Sequence, residues 1–175
     1  MKTTSTPSYR LFLLYLLLTF YCLGAAVMNE FVEYQSWADL GPYLSAADFA
    51  AWHVATSQHA LPFLTVPALF LTVVVLALFW DLPPAIPRWP LYVVAACHAL
   101  SWASSVLVQF PLEARLSQGE FSPELMNYLI HSDWLRKLTL FVEAPMAAYM
   151  AHRALHGAAA PAGNGVQAFN KPALG

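Results

Sequence analysis

Four runs of apolar residues, each close to the length of a membrane crossing, constrain this chain more than any other feature: 11–28, 60–80, 90–110 and 134 to about 152. A helix rises ~1.5 Å per residue, so about 20 residues cross the ~30 Å hydrocarbon layer of a bilayer. Backbone polar groups cannot be left bare there, which makes each such segment a helix. The chain is 59% hydrophobic and only 10% charged, against about 25% charged for a soluble domain. Its 175 residues suffice for one domain, and a net charge of −2 offers no basic surface to nucleic acid.

The expected fold is therefore all-α, a four-transmembrane-helix bundle in contact with the lipid bilayer. Its spans fall at about 11–32, 60–80, 90–111 and 134–155, after an N-terminal stretch over 1–10 and before a disordered Ala/Gly/Pro-rich tail over 157–175. The first run resembles a signal peptide, but its apolar core exceeds the roughly 7–15 residues of such signals. Lys2, Arg10, Arg88, Arg153 and Lys171 lie on one side, and Arg115, Arg136 and Lys137 on the other. That bias puts both termini in the cytoplasm of a multi-pass protein of an inner or plasma membrane.

The two outer connections, 33–58 and 112–133, are long and amphipathic. Ser45 and Ser122 stand where N-caps belong, and Pro123 suits a first helical turn. Short interfacial helices are expected there, anchored by Trp37, Tyr43, Trp52 and Tyr128. The inner connection is a tight turn with Pro83, Pro84 and Pro87. A shift of 78 residues places His53 on His131, Phe63 on Phe141 and Pro67 on Pro145; a shift of 76 places Val32 on Val108 and Tyr34 on Phe110. The pattern suggests a duplicated two-helix unit with parallel repeats.

Function is sought in polar side chains within the apolar runs, because such groups are costly in lipid and face the bundle interior. His98, Ser101, Ser105 and Gln109 share about 80° of arc on the third helix. Arg136, Thr139 and Glu143 share a face of the fourth, and Cys22, Asn29 and Glu33 one of the first. Counting helix rise, His98 lies ~12 Å in from Pro90 and Glu143 ~14 Å in from Trp134, so the two arrive near the same depth from opposite surfaces. A charged carboxylate there costs about 2.5–3.5 kcal/mol, which pairing with His98 or protonation relieves. Pro67 and Pro145 free the carbonyls of Phe63 and Phe141, which then need other donors.

These groups suggest an outward-opening polar cavity floored by His98 and Glu143 and rimmed by Glu30, Glu33, His59, Gln109, Glu113, His131 and Arg136. A small lipophilic ligand would be held by His98, Glu143, Gln109, His59, Glu33 and Ser105. For Ser101, Ser105, Thr139 and Gln109, plain interhelical hydrogen bonding is the competing role. Cys22 and Cys97 read as small buried hydrophobes. No metal site is expected: His53 and His59 are on different faces, and His152 and His156 sit beside Arg153 at a helix end. Nothing resembles HExxH, CxxC or a Gly-rich phosphate loop. The cofactor is undetermined, and a haem held by His98 and a second histidine stays open.

The stretch Val108-Gln109-Phe110-Pro111-Leu112-Glu113-Ala114-Arg115-Leu116, with Leu129-Ile130-His131-Ser132-Asp133-Trp134-Leu135-Arg136 after it, is similar to four-helix bacterial membrane proteins and, more distantly, resembles the anthrone oxygenase-like family. Glu113 stands where that family's pattern has Asn, and Trp134-x-Arg136 is tighter than its spacing. The resemblance implies cofactor-independent oxidation of a lipophilic phenol, with His131, Glu113 and Arg136 as catalytic residues and a histidine or carboxylate as base. Two other readings stand beside ligand binding. One is a non-enzymatic assembly or partner-binding protein; the other is a proton-coupled transporter subunit, a homo-oligomer because four helices would need a second copy.

Overall fold

The computed structural model describes residues 9–159 and is all-α, built around four long helical rods. The first rod is α1 (Tyr9–Met28), a π-helical segment (Asn29–Glu33), α2 (Tyr34–Leu40) and a closing 3-10 turn (Gly41–Tyr43). The second joins α3 (Ala46–Ala60) to α4 (Thr65–Ala77). The third is α5 (Trp89–Ser104), a second π-helical segment (Ser105–Gln109) and α6 (Phe110–Leu116). After α7 (Pro123–Ser132), the fourth rod is α8 (Trp134–Ala159). The first three rods are long and apolar enough to cross a membrane. The fourth is interrupted by Arg136, Lys137, Glu143, His152 and Arg153.

Packing arranges the rods in a ring: α1 lies against α4 and α8, and α5 against α8 and α4. Two cores result. One joins Phe12, Tyr15, Leu71, Val75, Leu78, Leu91, Val94, Ala147 and Met150 near the chain's first residues. The other joins Tyr34, Trp37, Phe49, Leu112, Leu116, Met126 and Leu129, where α2, α3, α6 and α7 elaborate the opposite end. Outward-facing Leu17, Phe31, Val73 and Leu107 are all more than half exposed, an inside-out distribution relative to a soluble domain.

Several expectations change. Residues 33–43 do not leave the first helix for a surface segment. The rod continues through a π turn, in which the Tyr34 amide donates to the Asn29 carbonyl. Residues 46–60 are the first half of a rod that bends at 61–64, where Pro62 and Pro67 remove two amide donors. The carbonyl of Phe63, freed by Pro67, accepts the hydroxyl of Tyr21 at 3.0 Å. Helix α4 ends at Ala77, short of 80, and α8 continues to Ala159; the remainder of the tail lies outside the described residues. Trp37 is no surface anchor, being 3% exposed in the second core, while Tyr43 and Tyr128 are exposed.

Ser45 and Ser122 do cap α3 and α7, accepting from the amides of Asp48 and Leu125. The two π segments are 76 residues apart, as are α2 and α6 in full: Tyr34–Leu40 shifted by 76 is Phe110–Leu116. Between α6 and α7 the chain turns at Gly119, whose φ of 83° suits a residue without a Cβ.

The second core holds a histidine in one defined state. His53 is 1% exposed, and its Nδ1 lies 3.1 Å from Ser117 Oγ, whose own proton goes to the Glu113 carbonyl. Nδ1 must therefore donate, leaving Nε2 bare, with the ring edge-on to Trp37. The second rod has 32 residues, ~48 Å of helix against ~30 Å of hydrocarbon, so α3 lies outside the apolar crossing. Burial pulls the imidazole from its usual 6.5 to about 4. Acidification protonates the unfolded state first. This part of the fold is expected to lose stability as pH falls from about 6.5 toward 4, by up to ~3 kcal/mol. Melts at pH 7 and pH 4.5 check this, and His53→Gln should flatten the difference.

Candidate functional site

Between the two cores the ring does not close. A cavity of about 530 Å³ remains, lined by α1, α2, the end of α3, the 61–64 bend, α4, α5, α6, α8 and both π segments. Its walls are apolar in the middle, with Ala25, Ala26, Leu61, Leu64, Ala68, Leu71, Trp102 and Leu140, and polar at both ends.

At the deep end, His98 of α5 and Glu143 of α8 meet, with Nε2 3.1 Å from Oε1. Glu143 is 2% exposed. Behind the imidazole, Thr72 of α4 holds three partners. Its Oγ1 is 2.9 Å from His98 Nδ1, 2.9 Å from the Ala68 carbonyl and 2.9 Å from Trp102 Nε1. Nothing in the residue order singles out Thr72, because a threonine bonding back to the carbonyl four residues earlier is common in any helix. Cys22 and Cys97 line this end as free thiols.

At the other end, buried charges join the two halves of the chain. Lys137 Nζ lies 2.5 Å from Glu30 and 3.6 Å from Asp133. Arg136 pairs with Asp133 and also donates to Tyr34 Oη at 3.0 Å and Ser105 Oγ at 3.3 Å. Tyr34 in turn donates to Glu113 Oε1 at 3.4 Å. Lys137 is 7% exposed, and Glu30, expected at the cavity rim, is 4% exposed and turned toward Lys137 rather than into the cavity.

The structure brings His98, Glu143, Glu33, Ser105, Glu113 and Arg136 to one cavity. Besides Glu30, three other expected residues lie elsewhere. His131 is exposed, its ring bonded to the Asn127 carbonyl, and His59 is exposed against the Ala55 carbonyl. Gln109 is fully buried but donates to Ser132 Oγ at 2.9 Å. The cause is the second π turn. Its extra residue per turn rotates the downstream helix, so Phe110 and Glu113 line the cavity where a regular helix would present Gln109.

Tyr34 and Trp37 line the cavity and also belong to the second core. The lining residues with the largest exposure are Leu61 at 53% and Phe110 at 41%. Trp102 and Thr72 join α5 to α4 beside the cavity.

The wall repeats across the two halves. Cys22, Ala25, Ala26, Asn29, Tyr34 and Trp37 all line the cavity, and so do the residues 76 positions later, His98, Ser101, Trp102, Ser105, Phe110 and Glu113. Among the described residues, no group of three or more His, Cys, Asp or Glu is placed to hold a metal ion. No protein-family model, curated protein or solved structure matches the chain.

Proposed function

We propose that this is a four-span membrane protein, made of a duplicated two-helix unit, that binds a small lipophilic molecule in the cavity between its helices. The observation that carries this reading is the cavity itself. A void of about 530 Å³ with apolar walls and polar ends is within the range of small-molecule sites.

The fourth crossing is α8. Its charged groups turn inward, where Lys137 and Glu143 are buried and paired, while Leu138, Phe141 and Val142 face out. Interior pairing is how ionisable groups are carried through a bilayer. Exposed Leu61 and Phe110 in the cavity wall suit a ligand arriving from the lipid phase. Repetition of the cavity wall at an offset of 76 residues supports the duplication, with a pseudo-twofold axis running through the site along the membrane normal. Orientation with both termini in the cytoplasm rests on the charge bias, and exposed Arg10, Arg88 and Arg153 all sit at that end. Binding rather than turnover is proposed, because His131 stands outside the wall that holds Glu113 and Arg136.

The test is Ala26→Trp, which fills the void from α1. Membranes are solubilised mildly, and extracted small molecules are compared with those from the unaltered protein. A lipophile that accompanies the protein and disappears with Ala26→Trp, at unchanged melting temperature, is the expected result. An empty site in the unaltered protein would leave the partner-binding reading in its place.

A further inference from the structure

We infer that the cavity selects an uncharged lipophile carrying a hydroxyl group, which donates its hydrogen bond to Glu143 Oε2; this deepens the binding reading above and rests on it. The protons around Thr72 decide the matter. A threonine hydroxyl has one hydrogen and two lone pairs. Trp102 Nε1 can only donate, so it occupies one lone pair; the Ala68 carbonyl can only accept, so it takes the hydrogen. The remaining lone pair faces His98 Nδ1 at 2.9 Å, and Nδ1 must carry a proton.

With Nδ1 protonated, the contact between His98 Nε2 and Glu143 Oε1 at 3.1 Å needs one more proton between them. Two bare lone pairs at that distance would repel. The pair is then imidazolium with carboxylate, or imidazole with carboxylic acid, and it is neutral overall in either form. In both forms the shared proton lies on the Oε1 side. Glu143 Oε2 therefore offers only lone pairs, and among the described residues no side chain or amide donates to it.

A ligand at this depth must consequently bring a donor. An ammonium head would add an uncompensated charge to a neutral site far from water, whereas a hydroxyl adds none. A carbonyl or ether would set two acceptors against each other. Leu64, Ala68, Leu71 and Leu140 supply the apolar surface for the rest of the molecule. Thr72 and Trp102 are positioning residues: they fix the tautomer that keeps Oε2 an acceptor.

The test uses the full chain in lipid nanodiscs, titrated with 1-dodecanol, its methyl ether and dodecylammonium, and monitored by the nitrogen and proton resonances of His98. Dodecanol is expected to bind about tenfold tighter than the ether, the upper range of one net hydrogen bond, and tighter than dodecylammonium. Glu143→Leu should bring the alcohol-to-ether ratio close to one with both still bound. Should that variant not fold, Glu143→Gln should retain part of the preference, since its amide donates to Nε2 and leaves its oxygen facing the cavity. A proton on His98 Nδ1 is the expected spectroscopic signature. Equal binding of alcohol and ether, tighter binding of dodecylammonium, or a bare Nδ1 would overturn the hydroxyl inference and leave the cavity reading intact. No binding of any of the three probes would overturn the cavity reading itself.

Discussion

Lys137→Met is expected to destabilise the protein by about 3–5 kcal/mol, enough to prevent its accumulation in membranes. The ammonium is 7% exposed and sits between Glu30, at 4%, and Asp133, also at 4%. Removing it leaves Glu30 as a buried carboxylate with no cation, while Asp133 keeps Arg136. Because the penalty lies in the stranded partner, Glu30→Met combined with Lys137→Met should recover most of the loss. Expression and thermal melts in detergent of the two variants check this. A single Lys137→Met protein as stable as the unaltered one would mean that Glu30 reaches water, and the buried ion pair between the two halves would have to be abandoned.

His98→Leu and Glu143→Leu are expected to differ from each other. Loss of His98 strands a carboxylate at mid-depth, at a cost of about 2.5–3.5 kcal/mol if it stays charged and less if it takes up a proton. Loss of Glu143 leaves a neutral imidazole whose Nδ1 is still satisfied by Thr72. Only one unpaired nitrogen results, at roughly 1–2 kcal/mol. The carboxylate-stranding variant should therefore be the weaker of the two. Melting curves of the two variants in the same detergent read this directly.

The features legible in residue order are those that depend on quantities surviving without tertiary detail. Helix rise alone brings His98 and Glu143 to one depth from opposite ends of their helices, and residue chemistry marks Ser45 and Ser122 as caps. The features that stay hidden depend on a single inserted residue or on a neighbour's face. A π turn leaves no trace in a hydropathy pattern, yet it decides whether Gln109 or Phe110 lines the cavity. Lys137 three residues after Trp134 looks like any charge at a helix start, and its nearer partner, Glu30, lies more than a hundred residues earlier. His131 and His59 belong to the rim by depth, but both lie on outward faces and bond to their own helices. Trp37 passes for an interfacial anchor until the first rod is seen to continue past Glu33 and carry it into the second core.

Two titratable side chains, from separate helices of the second half, touch across the floor of the cavity, and the proposed ligand site depends on that contact. A double-mutant cycle over His98→Leu and Glu143→Leu, measured as stability in the same detergent, tests it most directly. The double variant is predicted to cost less than the sum of the single ones by about 1.5 kcal/mol or more, since neither partner is then left stranded. Additivity within about 0.5 kcal/mol would mean that the two groups do not face each other, and the polar floor of the cavity would go with them.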